Sequence, residues 1–189
     1  MANLVQAQTT QRSQTAARHM AAAGEAQQYL TFSLSGEMYA VGILNVKEII
    51  EYGKLTEIPM MPDFIRGVIN LRGAVVPVVD LAARFGGHQS EVGKRTCIVI
   101  VEMSQDDTKQ DLGIMVDAVS EVLEIPVGEI EPAPSFGARI RADFIGGMGK
   151  VDGKFVIILE IQRVLSLNEM AALADVTGKA SGSAIAEAH

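Results

Sequence analysis

The 189-residue sequence has no tryptophan, one cysteine and three histidines, and only 5% of it is aromatic. A single thiol, Cys97, cannot close an internal disulfide, and it has no second cysteine with which to build a structural zinc site. Its apolar neighbours Ile98-Val99-Ile100-Val101 predict a buried thiol in a reducing compartment rather than a nucleophile. His19 and His189 lie near the ends and His88 in a polar stretch, so no histidine stands beside a candidate nucleophile or a second metal ligand. The acidic residues are scattered, with no paired carboxylates on one element. Basic residues are in deficit, 16 Lys and Arg against 23 Asp and Glu, and the net charge of −7 argues against nucleic acid as a partner. No run reaches the roughly twenty apolar residues of a membrane-spanning helix, and the N-terminus lacks the apolar core of a secretory signal. The chain therefore reads as cytoplasmic, without direct membrane insertion, without a cofactor and not as an enzyme.

What is present is a globular composition, 48% hydrophobic with 18 glycines. The positive mean hydropathy implies either a large core or apolar surface kept for partners. The most informative feature is a repeat. Asp63-Phe64-Ile65-Arg66-Gly67 matches Asp143-Phe144-Ile145-Gly146-Gly147 eighty positions later, and at the same offset Gly73 meets Gly153, Val76 meets Val156 and Asp80-Leu81 meets Glu160-Ile161. Upstream, at an offset of seventy-three, Val46 meets Val119, Glu48 meets Glu121, Glu51 meets Glu124 and Pro59 meets Pro132. One small unit used twice buries a face against its copy, which predicts a groove between two halves as the place for a ligand or partner.

Element by element, Tyr29 to Leu34 and Met38 to Ile43 read as a strand pair, and Asn45 to Ile50 as a short helical turn. Gly67 to Leu71 and Ala74 to Val79 form a hairpin across Arg72-Gly73, and Asp80 to Phe85 a short helix stopped by Gly86-Gly87. In the second half Thr96 to Met103 is a strand, Ser104 to Asp111 a polar loop and Leu112 to Val116 the return. Asp152-Gly153 joins another hairpin, and Glu160 to Leu165 another short helix. Short strands between turn signals, each set closed by a short helix, predict two small β-barrels. The boundaries drawn are 1–26 for a flexible N-terminal tail, 28–91 for the first barrel, 94–167 for the second, and 168–189 for a C-terminal helix and frayed tail.

Some residues stand out against this frame. Asp152 suits a turn needing positive φ, whereas its counterpart Arg72 does not, so Arg72 is either a solvated turn residue or a fork of donors aimed at a partner. In Val46-Lys47-Glu48, within a run of apolar and charged positions that gives one core and one exposed face, Val46 reads as core and Glu48 as solvated. Pro77 marks its strand as an edge or as bulged. Phe136, after Pro132-Ala133-Pro134, is a partner anchor or a core plug, and Met60-Met61 reads as filler. Gly146-Gly147-Met148-Gly149 lacks the context and the Gly-Lys-Ser/Thr ending of a phosphate loop.

The segment Asn70-Leu71-Arg72-Gly73 followed by Val76-Pro77-Val78-Val79-Asp80-Leu81 resembles the chemotaxis coupling protein family, CheW, with support from Leu44 to Glu48, Glu131 to Pro134 and Val156 to Leu165. The resemblance implies a mainly β fold of two intertwined SH3-like five-stranded barrels, and a non-catalytic adaptor. Such an adaptor joins the cytoplasmic tips of methyl-accepting chemoreceptors to the regulatory domain of the chemotaxis histidine kinase. By position it implies receptor contact at Val46, Glu48 and Arg72, a site intolerant of bulk at Gly67, and kinase contact at Phe136. The alternative is a small-molecule sensor holding an apolar ligand between the barrels.

Overall fold

The computed structural model describes residues 25–134, 140–166 and 168–169. Eleven strands form two sheets. The first holds β1 (Ala26–Leu34), β2 (Glu37–Gly42), β8 (Ala118–Pro126), the two-residue β9 (Ile130–Glu131), β10 (Ile145–Val151) and β11 (Lys154–Leu159), in the order β8-β1-β2-β11-β10-β9. The second holds β3 (Val46–Glu51), β4 (Ile65–Leu71), β5 (Ala74–Asp80), β6 (Cys97–Gln105) and β7 (Thr108–Val116), in the order β3-β6-β7-β5-β4. A backbone bridge from Thr56 to Val68 stands in the second sheet where β9 stands in the first. Helices α1 (Leu81–Arg84) and α2 (Ile161–Val164) follow β5 and β11.

The repeat read from the sequence is a structural one. In each sheet the last strand of a unit pairs in parallel with a strand from the other unit, Val78 beside Gly113 and Ile158 beside Ala40. In each, a bulge falls at the same place, between Ile65 and Gly67 and between Ile145 and Gly147. The halves are intertwined, because each barrel takes its first hairpin from the other half. Hairpin β1–β2 completes the barrel of β8 to β11, and β6–β7 completes that of β3 to β5. The repeat boundary along the chain and the sheet boundary in space therefore do not coincide.

Burial follows the same logic. Val76, Val78, Ile98, Ile100 and Met115 fill one barrel, and Tyr29, Ala40, Ile125, Val156 and Ile158 the other. The largest cluster, with Leu30, Phe32 and Leu34 from one sheet and Val99, Val101 and Ile114 from the other, lies between them. The expected shared face is thus a packed core, and the space between the halves is filled.

Several local readings need correction. Residues 46–51 are strand, and the helical turn precedes them as a 3-10 turn at Ile43–Asn45. Ser104 to Asp111 is no loop: β6 runs to Gln105 and β7 starts at Thr108, joined by Asp106-Asp107, both at positive φ. Pro77 is not on an edge, since β5 lies between β7 and β4. Its missing N–H costs nothing on the β7 side, because that pairing begins only at Val78. Cys97 is half-buried. Strand β1 begins at Ala26, while most of the expected final helix, and residues 1–24, lie outside the described residues.

The two helix starts show what one methylene does. Asp80 is fully buried and caps α1, its Oδ1 accepting from the N–H groups of Ala82 and Ala83. It also accepts from Ser90 N–H at 2.6 Å and Ser90 Oγ at 2.8 Å, and faces Arg66 at 3.6 Å. Glu160, its repeat counterpart, is exposed and makes no cap.

Candidate functional surface

The hairpin tips explain how Arg72 is displayed. Four two-residue turns join antiparallel neighbours, and three place Ser35, Asp106 and Asp152 at positive φ, which aspartate tolerates. The fourth places Arg72 there, φ 51°, followed by Gly73 at φ 88°. Arginine gains nothing locally from that conformation, so its identity is set by what the side chain reaches. It reaches β3: Nη1 donates to Glu48 Oε1 at 2.8 Å and Nη2 to Glu48 Oε2 at 2.9 Å. This is a parallel two-bond fork. The Asn70 side chain braces the turn by accepting from Gly73 N–H at 2.8 Å.

Glu48 is less solvated than expected, because in a strand it shares a face with Val46. Its side chain is 25% exposed against 77% for Arg72. Val46 is half-buried against the central cluster, as expected. The fold therefore brings Glu48 and Arg72 into contact, with Val46 two positions along the same strand. Gly67 has a different role. It is buried at φ 147°, and a Cβ there would stand 2.5 Å from the carbonyl oxygen of Thr56, the partner of Val68 in the barrel-closing bridge. Its intolerance of bulk is thus a matter of barrel closure. Phe136 lies outside the described residues.

Sequence reasoning passed over several exposed apolar residues. Leu44 is 98% exposed, Val75 72% and Ile49 44%. Met60 and Met61, expected as filler, are exposed as well. The repeat holds the signal that was missed, for Phe155 and Val122, the counterparts of Val75 and Ile49, are exposed on the other barrel. Beside the pair, Lys47 donates to both carboxylate oxygens of Asp111 at 3.0 and 2.9 Å, and Lys109 lies 2.9 Å from Glu102. The Lys47 ammonium is held above its usual pKa, chiefly by the Asp111 hydrogen bond.

The surface grooves are open. One of about 490 Å³ is lined by polar groups including Lys54, Glu57, Arg66 and Gln89. Another, of about 160 Å³, lies at the rim of the joint between Tyr39 and Phe85. Neither is the enclosed apolar cavity that a small-ligand sensor calls for. Among the described residues no three His, Cys, Asp or Glu side chains gather as a metal site would. No helix among them is long and apolar enough to cross a membrane.

Two interlocked barrels with exposed apolar and ion-paired surface are the build of a protein-binding scaffold. Residues 28–169 match the model of the CheW-like domain, and the chain belongs to that family of chemotaxis coupling proteins. It is 36% identical over 150 residues to the chemotaxis protein CheW of Klebsiella aerogenes, covering 79% of this chain and 88% of that one. It is 31% identical over 154 residues to the chemotaxis protein CheW of Rhizobium meliloti, covering 82% and 96%. Among solved structures it is similar to the scaffolding protein TtCheW of Thermoanaerobacter tengcongensis, with a TM-score of 0.67 and 38% identity over 75% of this chain and 88% of that one. The SH3-like two-barrel architecture is shared with that structure.

Proposed function

We propose that this chemotaxis scaffold works in the cytoplasm, joining the cytoplasmic tips of methyl-accepting chemoreceptors to the regulatory domain of the chemotaxis histidine kinase. Receptor binding uses the barrel of β3 to β7, where Val46, Glu48 and Arg72 form the contact surface and Gly67 keeps the strand beneath it in place. Kinase binding uses barrel ends with their edge strands, and includes Phe136. No bond is made or broken in this role.

The observation that carries the receptor site is the Glu48–Arg72 fork. An exposed ion pair contributes little to folding, about 0–1 kcal/mol, and here it sits on a turn that disfavours its own arginine. A stability role alone leaves that choice unexplained, whereas a presented charge pair, on a barrel that also exposes Ile49 and Val75, suits a partner helix with apolar and polar faces. Arg72→Asn tests it, since asparagine accepts positive φ. Denaturation midpoint should stay put or rise, while affinity for a receptor tip fragment falls at least about tenfold, the size of a 1.4 kcal/mol contact. Unchanged affinity in a pulldown or titration would remove Arg72 from the site.

A further inference from the structure

We propose that Arg84 is a positioning residue that sets the angle between the two barrels, and that Glu169 latches it. Arg84 ends α1 and is only 9% exposed, so its guanidinium must be partnered inside the protein. The partners come largely from the other repeat. Nε donates to the carbonyl of Val164 at 2.9 Å, one of the carbonyls that the end of α2 leaves without an intrahelical donor. Nη2 donates to Glu169 Oε1 at 3.0 Å. The guanidinium carbon lies 5.3 Å from the ring centre of Phe64 and 4.9 Å from that of Phe144.

The repeat gives this geometry its meaning. Phe64 and Phe144 are counterparts, and so are Arg84 and Val164, both pairs eighty positions apart. Arg84 therefore stands where the two units face each other, bound to the backbone of its own counterpart. Two arginines there would set like charges together in a buried place; one arginine and one valine fit. Apolar packing between the barrels is non-directional, whereas the bonds from Arg84 hold one orientation. Glu169 also accepts from Arg141, which forks onto Asp143 at 3.1 and 2.7 Å and lies 4.6 Å from the Phe144 ring centre. The chain just after α2 is thereby tied to both units at once.

The test uses the protein alone, so it does not depend on which partners bind. Nitroxide labels at Val75→Cys and Phe155→Cys, exposed counterparts on different barrels, are placed in a Cys97→Ala background and read by pulsed dipolar spectroscopy. The labelled parent should give one narrow distance. Arg84→Met, Arg84→Lys and Glu169→Gln should each add a second distance or broaden the first, lysine failing because it lacks the fork. Ile98→Val, inside one barrel, should lower stability and leave the distance unchanged. Parental distances in Arg84→Met and Glu169→Gln with native circular dichroism would overturn the proposal, as would equal broadening in Ile98→Val. Should Arg84→Met not fold, Glu169→Gln, at a half-buried residue, decides alone.

Discussion

Gly67→Ala puts a single methyl group where the barrel closes, and its cost can be worked out beforehand. The residue sits at φ 147°, a conformation that side chains rarely adopt, and an added Cβ would lie 2.5 Å from Thr56 O and 3.0 Å from Thr56 C. Those atoms are backbone and are held by the paired bonds between Thr56 and Val68, both 2.9 Å, so they cannot swing aside. Strained backbone of this kind costs about 1–3 kcal/mol, and an extra carbon in a packed site about 1–3 more. Together they come to roughly 2–6 kcal/mol, a large part of a domain's stability. Gly147→Ala is the internal control. There the Cβ meets Ile130 Cγ2 at 2.6 Å, a side-chain methyl rather than backbone though one that moves only with χ1, and Glu131 O at 3.2 Å, with no positive φ to strain. It should cost about 1–2 kcal/mol, mostly as overpacking. Urea unfolding followed by circular dichroism measures both. A Gly67→Ala protein within about 0.5 kcal/mol of wild type, or one less affected than Gly147→Ala, would refute the reasoning.

Other perturbations separate the two repeats or isolate single groups. Asp80→Ala removes a cap, the Ser90 contacts and the partner of Arg66, and should cost about 2–4 kcal/mol, while Glu160→Ala, exposed and without a capping bond, should stay within about 0.5 kcal/mol. Equal costs would show that Asp80 is not the anchor described. Tyr39 is pushed up to about 12, first by burial and then by Glu37, whose carboxylate accepts its hydroxyl proton at 3.3 Å. The unfolded phenol titrates near 10.0, so the native state holds the proton longer. That contribution is complete below pH 10 and lost as pH rises from about 10 toward 12. Tyr39→Phe should flatten the fall in stability over that window, and an unaltered slope would exclude Tyr39 as its source.

Much of this fold was legible because the chain is written twice. Matching Asp143-Phe144 to Asp63-Phe64 brings out both hairpins and both short helices and a face shared between the halves, though that face is a packed core and not the expected groove. Local signals could not show the exchange of hairpins, since turn residues specify that β1 pairs with β2 and not which barrel the pair completes. Thr108 to Asp111 looked like loop because its side chains are polar, yet they lie on a ribbon reaching past the core, where strands need no apolar face. Strand β3 was mistaken for a helical turn because a real 3-10 turn adjoins it. At the surface, the odd arginine in a turn was visible, but its partner Glu48, twenty-four positions away, was not. Arg84 escaped notice because a basic residue ending a helix is ordinarily solvated; only its counterpart, Val164, hinted that the place is buried.

The claim of coupling is tested most directly by reconstitution. Receptor tip fragments in a clustered array are mixed with the histidine kinase, with and without this protein, and autophosphorylation is followed. The account predicts that kinase activity rises only when all three are present, and that Arg72→Asn lowers the rise while leaving kinase binding alone. Kinase activation by receptor fragments to the same level without this protein, or no activation with it, would contradict the account.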